Sequence, residues 1–560
     1  MSSIYDILSI GKRGMMAQQA AVQVTAHNIA NVNTEGYSRQ EVIFEEGIPL
    51  NSNPGQTGTG VNAADIQRRY DSFIEEQLTD SKETLGNFGV QVSAFSKIED
   101  LFNDSMGTDI NKLLGQFFNS MQDLSANPAG TPERVTVLSR GDALTDAINN
   151  IYSSLNQLQK DMNSQVSQTV NEINSITAQI ASLNVDIRQA EITGQNANDS
   201  RDMRGRILND LAEKIDIQYF EDDTGQITVI GAGLATLVEK GNSWTLDIET
   251  NTDNYGYYDI IYSPDESNVT NLTDRISNGR LKGLLTIRDT ETSDAMDELD
   301  RLAAAIASEI NQIHRTGYGL DGSTGINLFT PSFETGDVLS EDVGAITAMS
   351  TNTGTGSVSA TIDDPSALTF NDYEITFSGG NYTFLNKSTN ASSTAAYADP
   401  SNFTFEGLSV NISGSFGEGD TYIISAHKNT AKNLQVAIDM RDTARIAAAT
   451  ASTDNRGDNR NVLALVQIQD ALTIDGTSSI GSYYGSIVGR IGVNSQYINS
   501  QYSAQEFSSE QLHNMRESVS GVSIDEEMAN LMKFQHAYQA SARLITIGDE
   551  LLETLMGIVR

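Results

Sequence analysis

The strongest constraint on this chain is a heptad pattern in its first half. Between Pro132 and Gly194, side chains on one helical face recur at alternating steps of three and four residues. The positions are Ile148, Ile151, Leu155, Leu158, Met162, Val166, Thr169, Ile173, Ile176, Ile180, Leu183, Ile187 and Ala190. All are apolar except Thr169, and one 4-4 step is a place where a coil would locally unwind. A single apolar stripe on so long a helix favours packing against one or two partner helices instead of forming a globular pocket.

The two ends of the chain carry the same kind of pattern. A strict 4-3 spacing runs along the C-terminus, through Ile524, Met528, Leu531, Gln535, Tyr538, Ala542, Ile545, Asp549, Leu552, Met556 and Val559. Ser523 and Glu526, just before this run, have the spacing of a capping box. A weaker version occupies the N-terminus, through Ile4, Leu8, Gly11, Met15, Gln18, Val22, Thr25 and Ile29. A coiled-coil core at both ends of one chain is a device for polymerisation.

The N-terminal end also differs from the rest of the chain in charge. The 560 residues together have a formal net charge of −39, whereas 1–42 carries equal numbers of acidic and basic groups. A neutral segment can pack against copies of itself without repulsion. Because each end offers few apolar side chains against the entropy of ordering its backbone, we predict that both ends are largely unfolded in the monomer and order on assembly.

The segment between the helical ends is rich in strands. The pattern is helical over about 1–212, mostly β over about 213–427, and helical again over about 429–560. A helical island at 295–313 interrupts the β part. Short apolar and aromatic runs between Gly, Asn and Ser turns predict a small antiparallel sandwich or barrel at about 355–428. This order predicts a β-rich insertion carried by a helical stalk whose halves come from opposite ends of the chain.

Composition excludes several classes of protein. The strongly negative charge argues against a nucleic-acid partner and against an anionic membrane surface. The chain has no Cys, which excludes disulfides, Cys-ligated metals and a thiol nucleophile. Its apolar runs are too short to cross a bilayer, and we recognise no cleavable secretory signal. We therefore expect no membrane insertion.

Side chains that could carry chemistry are scattered along the sequence. The five histidines include no His-x-His or His-x-x-x-His pair, and the usual phosphate-binding and nucleophile motifs do not occur. The Asp321 segment fits a plain turn better than a calcium loop. We expect no catalytic residue, no metal site and no cofactor. The string Arg456-Gly457-Asp458 spells an adhesion tripeptide, which keeps a surface adhesin as an alternative.

Two stretches go beyond periodicity. Residues 25–39 read Thr-Ala-His-Asn-Ile-Ala-Asn-Val-Asn-Thr-Glu-Gly-Tyr-Ser-Arg, which closely resembles the N-terminal signature of bacterial flagellar rod, hook and hook-associated proteins. Residues 523–531 and 535–543 resemble the C-terminal signature of the same axial family. In the first signature, Asn and Gly residues tolerate left-handed backbone, so they can end a helix and turn the chain.

The middle of the chain is most similar to the junction proteins of that family. The segments that carry this resemblance are 198–217, 311–322 and 457–465, whereas 335–430 resembles the family least. At Arg204-Gly205-Arg206 the chain departs from the unbroken helix-forming run that is usual in the family. We therefore expect the helix to be interrupted there.

Periodicity and resemblance together predict the fold. We expect a mainly α fold with inserted β: N- and C-terminal helices paired as a coiled-coil stalk, a long helical bundle domain, and outer β-rich domains. The expected divisions are a terminal axial core of 1–42 with 506–560, a helical bundle of 43–212 with 429–505, and an outer β-rich domain of 213–428.

The resemblance also implies which residues serve assembly. In the N-terminal helix and signature they are Ile4, Leu8, Met15, Val22, Asn28, Ile29, Asn31, Gly36 and Tyr37. In the C-terminal helix, the residues expected to serve assembly or chaperone binding are Ile524, Met528, Leu531, Tyr538, Ala542, Ile545, Leu552, Met556 and Val559.

The implied function is structural, not enzymatic. A ring of copies would join hook to filament and be required for filament assembly. The implied partners are further copies of the chain, hook protein, the second hook-associated junction protein, a flagellar export chaperone and the type III export apparatus. The implied location is the extracellular flagellum, reached without a cleaved signal peptide. Another axial subunit remains the nearest alternative; a surface adhesin, or a cell-wall hydrolase for which the sequence offers no convincing site, is more distant.

Overall fold

The computed structural model describes residues 2–52, 55–103, 109–265, 268–340, 343–452, 456–474 and 476–558. The α-helices of these ranges are α1 (Ser2–Ala30), α2 (Ser72–Phe102), α3 (Ile110–Ala126), α4 (Thr131–Ile192), α5 (Asn198–Lys214), α6 (Gly279–Thr286), α7 (Thr292–Thr316), α8 (Thr430–Asn433), α9 (Arg460–Gln467), α10 (Ile480–Ser520) and α11 (Ile524–Ile558). No helix of the described ranges combines the length and apolarity needed to cross a membrane.

The strands alternate with these helices in three regions of the chain. Near the N-terminus they are β1 (Gln40–Glu46), β2 (Leu50–Ser52), β3 (Gly55–Thr57) and β4 (Val61–Arg68). After α5 they are β5 (Ile217–Glu221), β6 (Ile227–Gly231), β7 (Ala235–Glu239), β8 (Asn242–Ser243), β9 (Leu246–Asn251), β10 (Tyr257–Tyr262) and β11 (Thr270–Asn271). After α7 they are β12 (Phe329–Thr330), β13 (Ala345–Ala348), β14 (Ser357–Ile362), β15 (Asp372–Ser378), β16 (Asn381–Asn386), β17 (Ser392–Ala396), β18 (Ser401–Phe405), β19 (Leu408–Ser413), β20 (Thr421–Ser425) and β21 (Gln435–Val436).

Helix α4 is the spine of the molecule. It has 62 residues, so it is about 90 Å long, which exceeds the length of any other described helix. Most positions of its predicted heptad face are buried, while Ile176, Leu183 and Ala190 are half-buried. The expectation of one or two partner helices is wrong: α4 packs in succession against α3, α5, α6, α7, α8 and several strands. The reason is length, because each shorter partner covers only part of the stripe.

Amide side chains on α4 also fix the strands beside it. Asn184 donates to the carbonyl oxygens of Ile227 and Lys240, at 2.8 and 2.7 Å, and accepts from the Ile227 N–H at 3.1 Å. Asn174 exchanges the same pair of bonds with the backbone of Leu246, both at 2.8 Å. These bonds satisfy strand backbone groups that would otherwise be buried without partners.

Two antiparallel sheets form the outer β domain. One has the strand order β13-β20-β15-β16-β17 and the other β14-β19-β18, and together they lie where the sequence predicts a small sandwich. Buried and less buried residues alternate along β16 and β19. The aromatic rings of Tyr373 and Phe405 meet across the two sheets, with centroids 4.8 Å apart. The closely packed inner faces make this domain part of one continuous apolar core with the helical body.

The terminal helices form a separate antiparallel pair. A Cβ built on Gly11 would lie 2.8 Å from Cγ1 of Ile545, and one built on Gly548 would lie 2.7 Å from Cδ2 of Leu8. The helices therefore approach closely because glycine stands at their contact points. Together with the helical body and the β domains, this pair confirms the predicted fold class.

Two expectations about local structure are wrong. The part of the chain expected to be helical after the N-terminal signature forms the strands β1 to β4, and Val42 of β1 and Ile66 of β4 pack on α1. Helix α5 runs through Arg204-Gly205-Arg206 without interruption. A glycine in a helix costs about 1 kcal/mol, and the buried bonds of Arg204 offset that cost. The helical island expected at 295–313 is confirmed as α7, and with α6 it packs against α2, α4 and α10.

The boundary expected at 505/506 falls inside α10. This helix packs antiparallel to α2 along most of its length. Gln505 donates to Ser81 at 2.9 Å and Arg516 to Glu75 at 2.7 Å, so the bonds between the two helices continue past the expected boundary. Helix α10 is thus continuous across the expected boundary and contacts α2 on both sides of it.

Candidate assembly site

The turn that follows α1, residues 31–39, belongs to the N-terminal signature, and we call it the signature turn. It is organised around Asn28, near the end of α1. Its amide donates to the carbonyl oxygen of Gln40 at 2.9 Å and to Glu527 at 3.1 Å. Its carbonyl oxygen accepts from the Tyr37 hydroxyl at 2.8 Å and from the Gln40 N–H at 3.0 Å. Asn28 and Tyr37 are both buried. One side chain thus fixes the end of α1, the turn, the start of β1 and the start of α11.

Arg39 ties the same turn to α11 by charge. Its guanidinium contacts Oε1 of Glu527 at 2.6 and 2.8 Å and Oε2 of Glu526 at 3.0 Å. The Glu527 side chain is only 3% exposed, and Arg39 and Asn28 between them engage both of its oxygens. The Arg39 N–H also donates to the carbonyl oxygen of Ser520 at 2.8 Å. The start of α11 is therefore held by a buried, fully partnered carboxylate.

Helix α5 holds the opposite side of the turn. Asp202 accepts from the Ser38 N–H and from Arg68, both at 2.8 Å. Gly36 has φ +73°, and a Cβ there would lie 2.4 Å from Cγ of Arg206, so only glycine fits under that side chain. Burial and the surrounding carboxylates raise the pKa of Tyr37, which keeps its hydroxyl protonated as a donor.

Apolar contacts at this site are few. Ala21, Val24 and Val42 form a small buried cluster with Ile66 and Phe534, and this cluster is separate from the main core. The terminal pair is therefore joined to the helical body mainly through hydrogen bonds and ion pairs of the signature turn. Hydrogen bonds and ion pairs of this kind fix the direction of the terminal pair relative to the helical body, although they bury little apolar area.

The structure brings together only part of the expected N-terminal assembly set. Asn28, Tyr37 and Gly36 meet at the turn, and Asn31 stabilises it by donating to the His27 carbonyl oxygen at 3.1 Å. The rest are spread along α1. Half-buried side chains of this group are Leu8, Met15, Val22 and Ile29. For Ile4 only the backbone is described.

The expected C-terminal set divides into two groups. Leu531, Tyr538, Ala542, Ile545 and Leu552 are half-buried on the side of α11 that faces α1, whereas Ile524, Met528 and Met556 are exposed. Val559 lies outside the described residues. Besides these, Leu544, Ile547, Leu551 and Leu555 are between 40 and 49% exposed on another side of the helix. We call these four residues the outer stripe of α11.

Several residues of the site were missed by sequence reasoning. Arg39, Asp202 and Glu527 are the charged partners that lock the turn, and the heptad pattern passes over all three. Arg39 and Glu527 do lie within the two signatures, so a search for opposite charges between the signatures could have paired them. Asp202 had no such signal, because its partner Ser38 is 164 residues away.

The sites considered for other chemistry take ordinary structural roles. Asp321 accepts from the Ser323 N–H at 2.9 Å, as in a plain turn. Asp458 of the adhesion-like tripeptide accepts from the Thr450 N–H at 2.8 Å and is paired with Arg460 at 2.9 Å. Its carboxylate is thus already engaged by its own chain. Among described residues, one group of metal-ligating side chains does converge, away from this site: Asp297, Asp372 and His427.

Comparison with known families places matches in the same order along the chain. A flagella basal body rod protein family matches 8–37, and a flagellar basal body rod FlgEFG protein C-terminal family matches 516–558. Between them, the flagellar hook-associated protein FlgK helical domain matches 95–329, and the D2-like domain of flagellar hook-associated protein 1 matches 347–426.

Relatives match over nearly the full length. The chain is 26% identical to flagellar hook-associated protein 1 of Escherichia coli (strain K12), over 99% of this chain and 100% of that protein. It is also 26% identical to the protein of that name from Bacillus subtilis (strain 168), over 99% of this chain and 98% of the other. The solved flagellar hook junction protein FlgK from Burkholderia pseudomallei shares the fold, with a TM-score of 0.69 at 20% identity, over 79% of this chain and 100% of that one.

These features define a structural subunit of the bacterial flagellum, in which paired terminal helices are tied to a helical body by a signature turn. Within that class, the two central matches distinguish one family, since both are to domains of flagellar hook-associated protein 1 and they lie between the two terminal matches. The chain belongs to the flagellar hook-associated protein 1 family, and its place is with the other axial proteins of the flagellum.

Proposed function

We propose that copies of this chain form a ring between the hook and the filament, with the α1–α11 pair in the inner shell. The observation that carries this proposal is the outer stripe of α11. These four residues are 40 to 49% exposed on a helix whose other face is already covered by α1. Exposed apolar stripes of this kind mark protein–protein contacts. In the ring, the stripe packs against the terminal pair of a neighbouring copy.

The ring has a different partner on each side. Hook protein lies below it and the second hook-associated junction protein lies above it, and each meets one packing surface. Since all these partners are axial subunits, their contacts are made by terminal helices of the same type. Nucleic acid is not a partner, because the net charge of −39 would repel it.

Export precedes assembly. The chain passes unfolded through the type III export apparatus to the extracellular flagellum, without a cleaved signal peptide. Before export, a flagellar chaperone covers α11, because Met528, Met532 and the outer stripe would otherwise be exposed together in the cytoplasm. The same apolar residues thus serve the chaperone first and the ring afterwards.

The proposed divisions of the chain follow the contacts. The terminal pair comprises 2–30 and 524–558, and the signature turn with the strands of 40–68 connects it to the body. The helical body includes α2 to α7, α9 and α10, and the outer β domain spans 345–425. These bounds replace the expected boundary inside α10.

The chain acts as a structural part without enzymatic activity. Its acidic side chains at the signature turn are engaged by Arg39, Arg68 and backbone N–H groups, which leaves them no role as general acids or bases. A role as an adhesin is not favoured, since Asp458 is held by Thr450 and Arg460.

The test is electron microscopy of cells that lack the gene, with the medium assayed for shed filament protein. Complete hooks without filaments, and filament protein in the medium, are the expected result. Loss of the hooks themselves would place the chain lower on the axis. Normal attached filaments would contradict any axial role.

The stripe is tested by complementing those cells. Ile547→Asp with Leu551→Asp introduces two charges into the stripe, and filaments are expected to remain unattached. Gln535→Asp with Gln539→Asp adds the same charge at exposed polar positions of α11 and should restore attachment. Secreted amounts of each variant separate a failure of assembly from a failure of export.

A further inference from the structure

Three metal-ligating side chains meet where the outer β domain joins the helical body. Asp297 comes from α7, Asp372 is the first residue of β15, and His427 follows β20 in the linker to α8. The His427 side chain is only 1% exposed, and the two carboxylates are about two-thirds buried. The three residues are far apart in sequence, so spacing rules for metal ligands could not find them.

The donor atoms of this group are already close. Nε2 of His427 lies 2.8 Å from Oδ1 of Asp297 and 4.0 Å from Oδ1 of Asp372, and one ligand atom from each residue lies within 4.8 Å of the others. Oδ1 of Asp372 is buried and has no hydrogen-bond partner among the described residues. A buried carboxylate oxygen without a partner is costly, and here it is directed at the imidazole of His427.

Acidic and basic side chains both surround the group. Besides the two ligand carboxylates, Asp300 faces the same region, and the basic side chains nearby are Arg301 and Lys428. Asp300 is occupied by the backbone N–H groups of Asn429 and Ala431, at 3.1 and 2.7 Å. Asp297 and Asp372 are thus the carboxylates that remain to face His427, and a cation placed between them would be stabilised by both.

We propose that Asp297, Asp372 and His427 bind one divalent transition-metal ion, with zinc as the best fit. Zinc takes imidazole nitrogen at about 2.0–2.1 Å and carboxylate oxygen at about 2.0–2.2 Å, and ligand atoms now 2.8 to 4.8 Å apart reach those distances by small side-chain rotations. Calcium and magnesium prefer sites made entirely of oxygen. Ser425 Oγ lies 3.3 Å from Nδ1 of His427 and orients the ring with Nε2 toward the carboxylates.

The ion has a structural effect at this position. Its ligands come from α7 of the helical body, from β15 of the outer domain and from the linker between β20 and α8, so one ion joins three segments. Binding to the folded state alone stabilises that state by mass action. The ion therefore fixes the direction in which the outer β domain projects.

The test is calorimetric titration of the full chain with Zn²⁺ in the presence of excess Mg²⁺, which occupies weak surface carboxylates. One Zn²⁺ per chain is expected to bind. Asp372→Asn and His427→Gln should each weaken binding by about tenfold or more. The matched controls are Asp363→Asn and His513→Gln, which change exposed residues and should leave binding unchanged.

A second measurement identifies the ligands directly. Co²⁺ replaces Zn²⁺ in such sites, and its visible absorption reports an imidazole–carboxylate environment that Asp372→Asn should alter. Asp372→Asn keeps the size and shape of the side chain, and a circular dichroism spectrum checks that the variant is folded. The proposal is overturned if Zn²⁺ binds with equal affinity to the wild type and to both ligand variants. It is also overturned if the variants change only the pH dependence of stability and leave the binding of Zn²⁺ as it is in the wild type.

Discussion

Arg204 carries a buried charge inside the helical body. It donates to Asn184 at 3.0 Å, to the carbonyl oxygen of Gly225 at 2.6 Å and to Glu221 at 2.7 Å, and its side chain is 4% exposed. Arg204→Met keeps the length but removes every donor, which leaves buried acceptors unpaired. We expect the free energy of unfolding to fall by about 2–3 kcal/mol, measured by chemical denaturation.

The control for this change is Arg188→Met on α4, where the side chain is exposed. It should alter the free energy of unfolding by less than about 0.5 kcal/mol. If the Arg204→Met protein is as stable as the wild type, the buried hydrogen bonds of Arg204 do not contribute to the free energy of unfolding.

His314 gives stability a pH dependence. The ring is buried, Nδ1 donates to the Ile326 carbonyl oxygen at 2.7 Å, and Nε2 accepts from the Ala447 N–H at 2.9 Å. Burial lowers the pKa of His314 to about 4. Between about pH 6.5 and 4 the unfolded chain binds a proton that the folded chain excludes, so stability falls as the pH falls through this range.

His314→Gln should therefore reduce the slope of stability against pH between about 4 and 6.5. Denaturation at a series of pH values measures this slope, and His513→Gln, at an exposed position, should leave it unchanged. A slope that is the same in wild type and His314→Gln would assign the acid sensitivity to the carboxylates.

Individual residues were predictable where a local motif or a resemblance named them. Asn28, Gly36 and Tyr37 lie in the N-terminal signature, and the structure places them at one turn. The roles of Asp202 and Arg204 could not be predicted, because a buried charge has no periodic signal and the partners of Asp202 also lie in a distant part of the sequence.

At the scale of elements, periodicity predicted the helices better than their partners. The heptad face of α4 is mostly buried as expected, yet its partners form a succession of helices and strands. The heptad pattern assigns no role to the polar residues between its apolar positions. Asn174 and Asn184 instead hold strand backbones, which a pattern based on apolar residues cannot show.

The terminal pair depends on glycine at its points of contact. Gly11→Ile places a branched side chain where a Cβ alone would lie 2.8 Å from Ile545 Cγ1 and 3.3 Å from the Ser541 carbonyl oxygen. We expect the α1–α11 pair to separate and filament attachment to fall to the level of cells without the gene. Microscopy and swimming assays of complemented cells measure this.

Gly557→Ile is the matched control, because nothing lies within 4 Å of a Cβ built there. It should restore attachment. In both variants the unfolding of the helical body should be unchanged, since the terminal pair lies outside the main core. Normal attachment with Gly11→Ile would mean that close approach of the helices is not needed.

At the scale of the whole molecule, the apolar contacts divide the chain into two unequal parts. The helical body and the β domains share one continuous core, whereas the terminal pair has a small separate cluster at its base. Ordering 29 residues of α1 and 35 of α11 costs conformational entropy that so few buried side chains offset poorly. We therefore expect the pair to gain most of its stability from neighbouring copies in the proposed ring.

Hydrogen exchange of the full chain tests this division. In the monomer, amides of α1 and α11 are expected to exchange close to the rate of an unfolded chain, while amides of α4 exchange only on global unfolding. In assembled rings, the terminal amides should become protected, because the outer stripe of α11 is then covered. Protection of α1 and α11 in the monomer that equals that of α4 would mean that the pair folds alone and that assembly joins preformed surfaces. The result also bears on the proposed export, since ends that are unfolded in the monomer would not have to be unfolded before they enter an export channel.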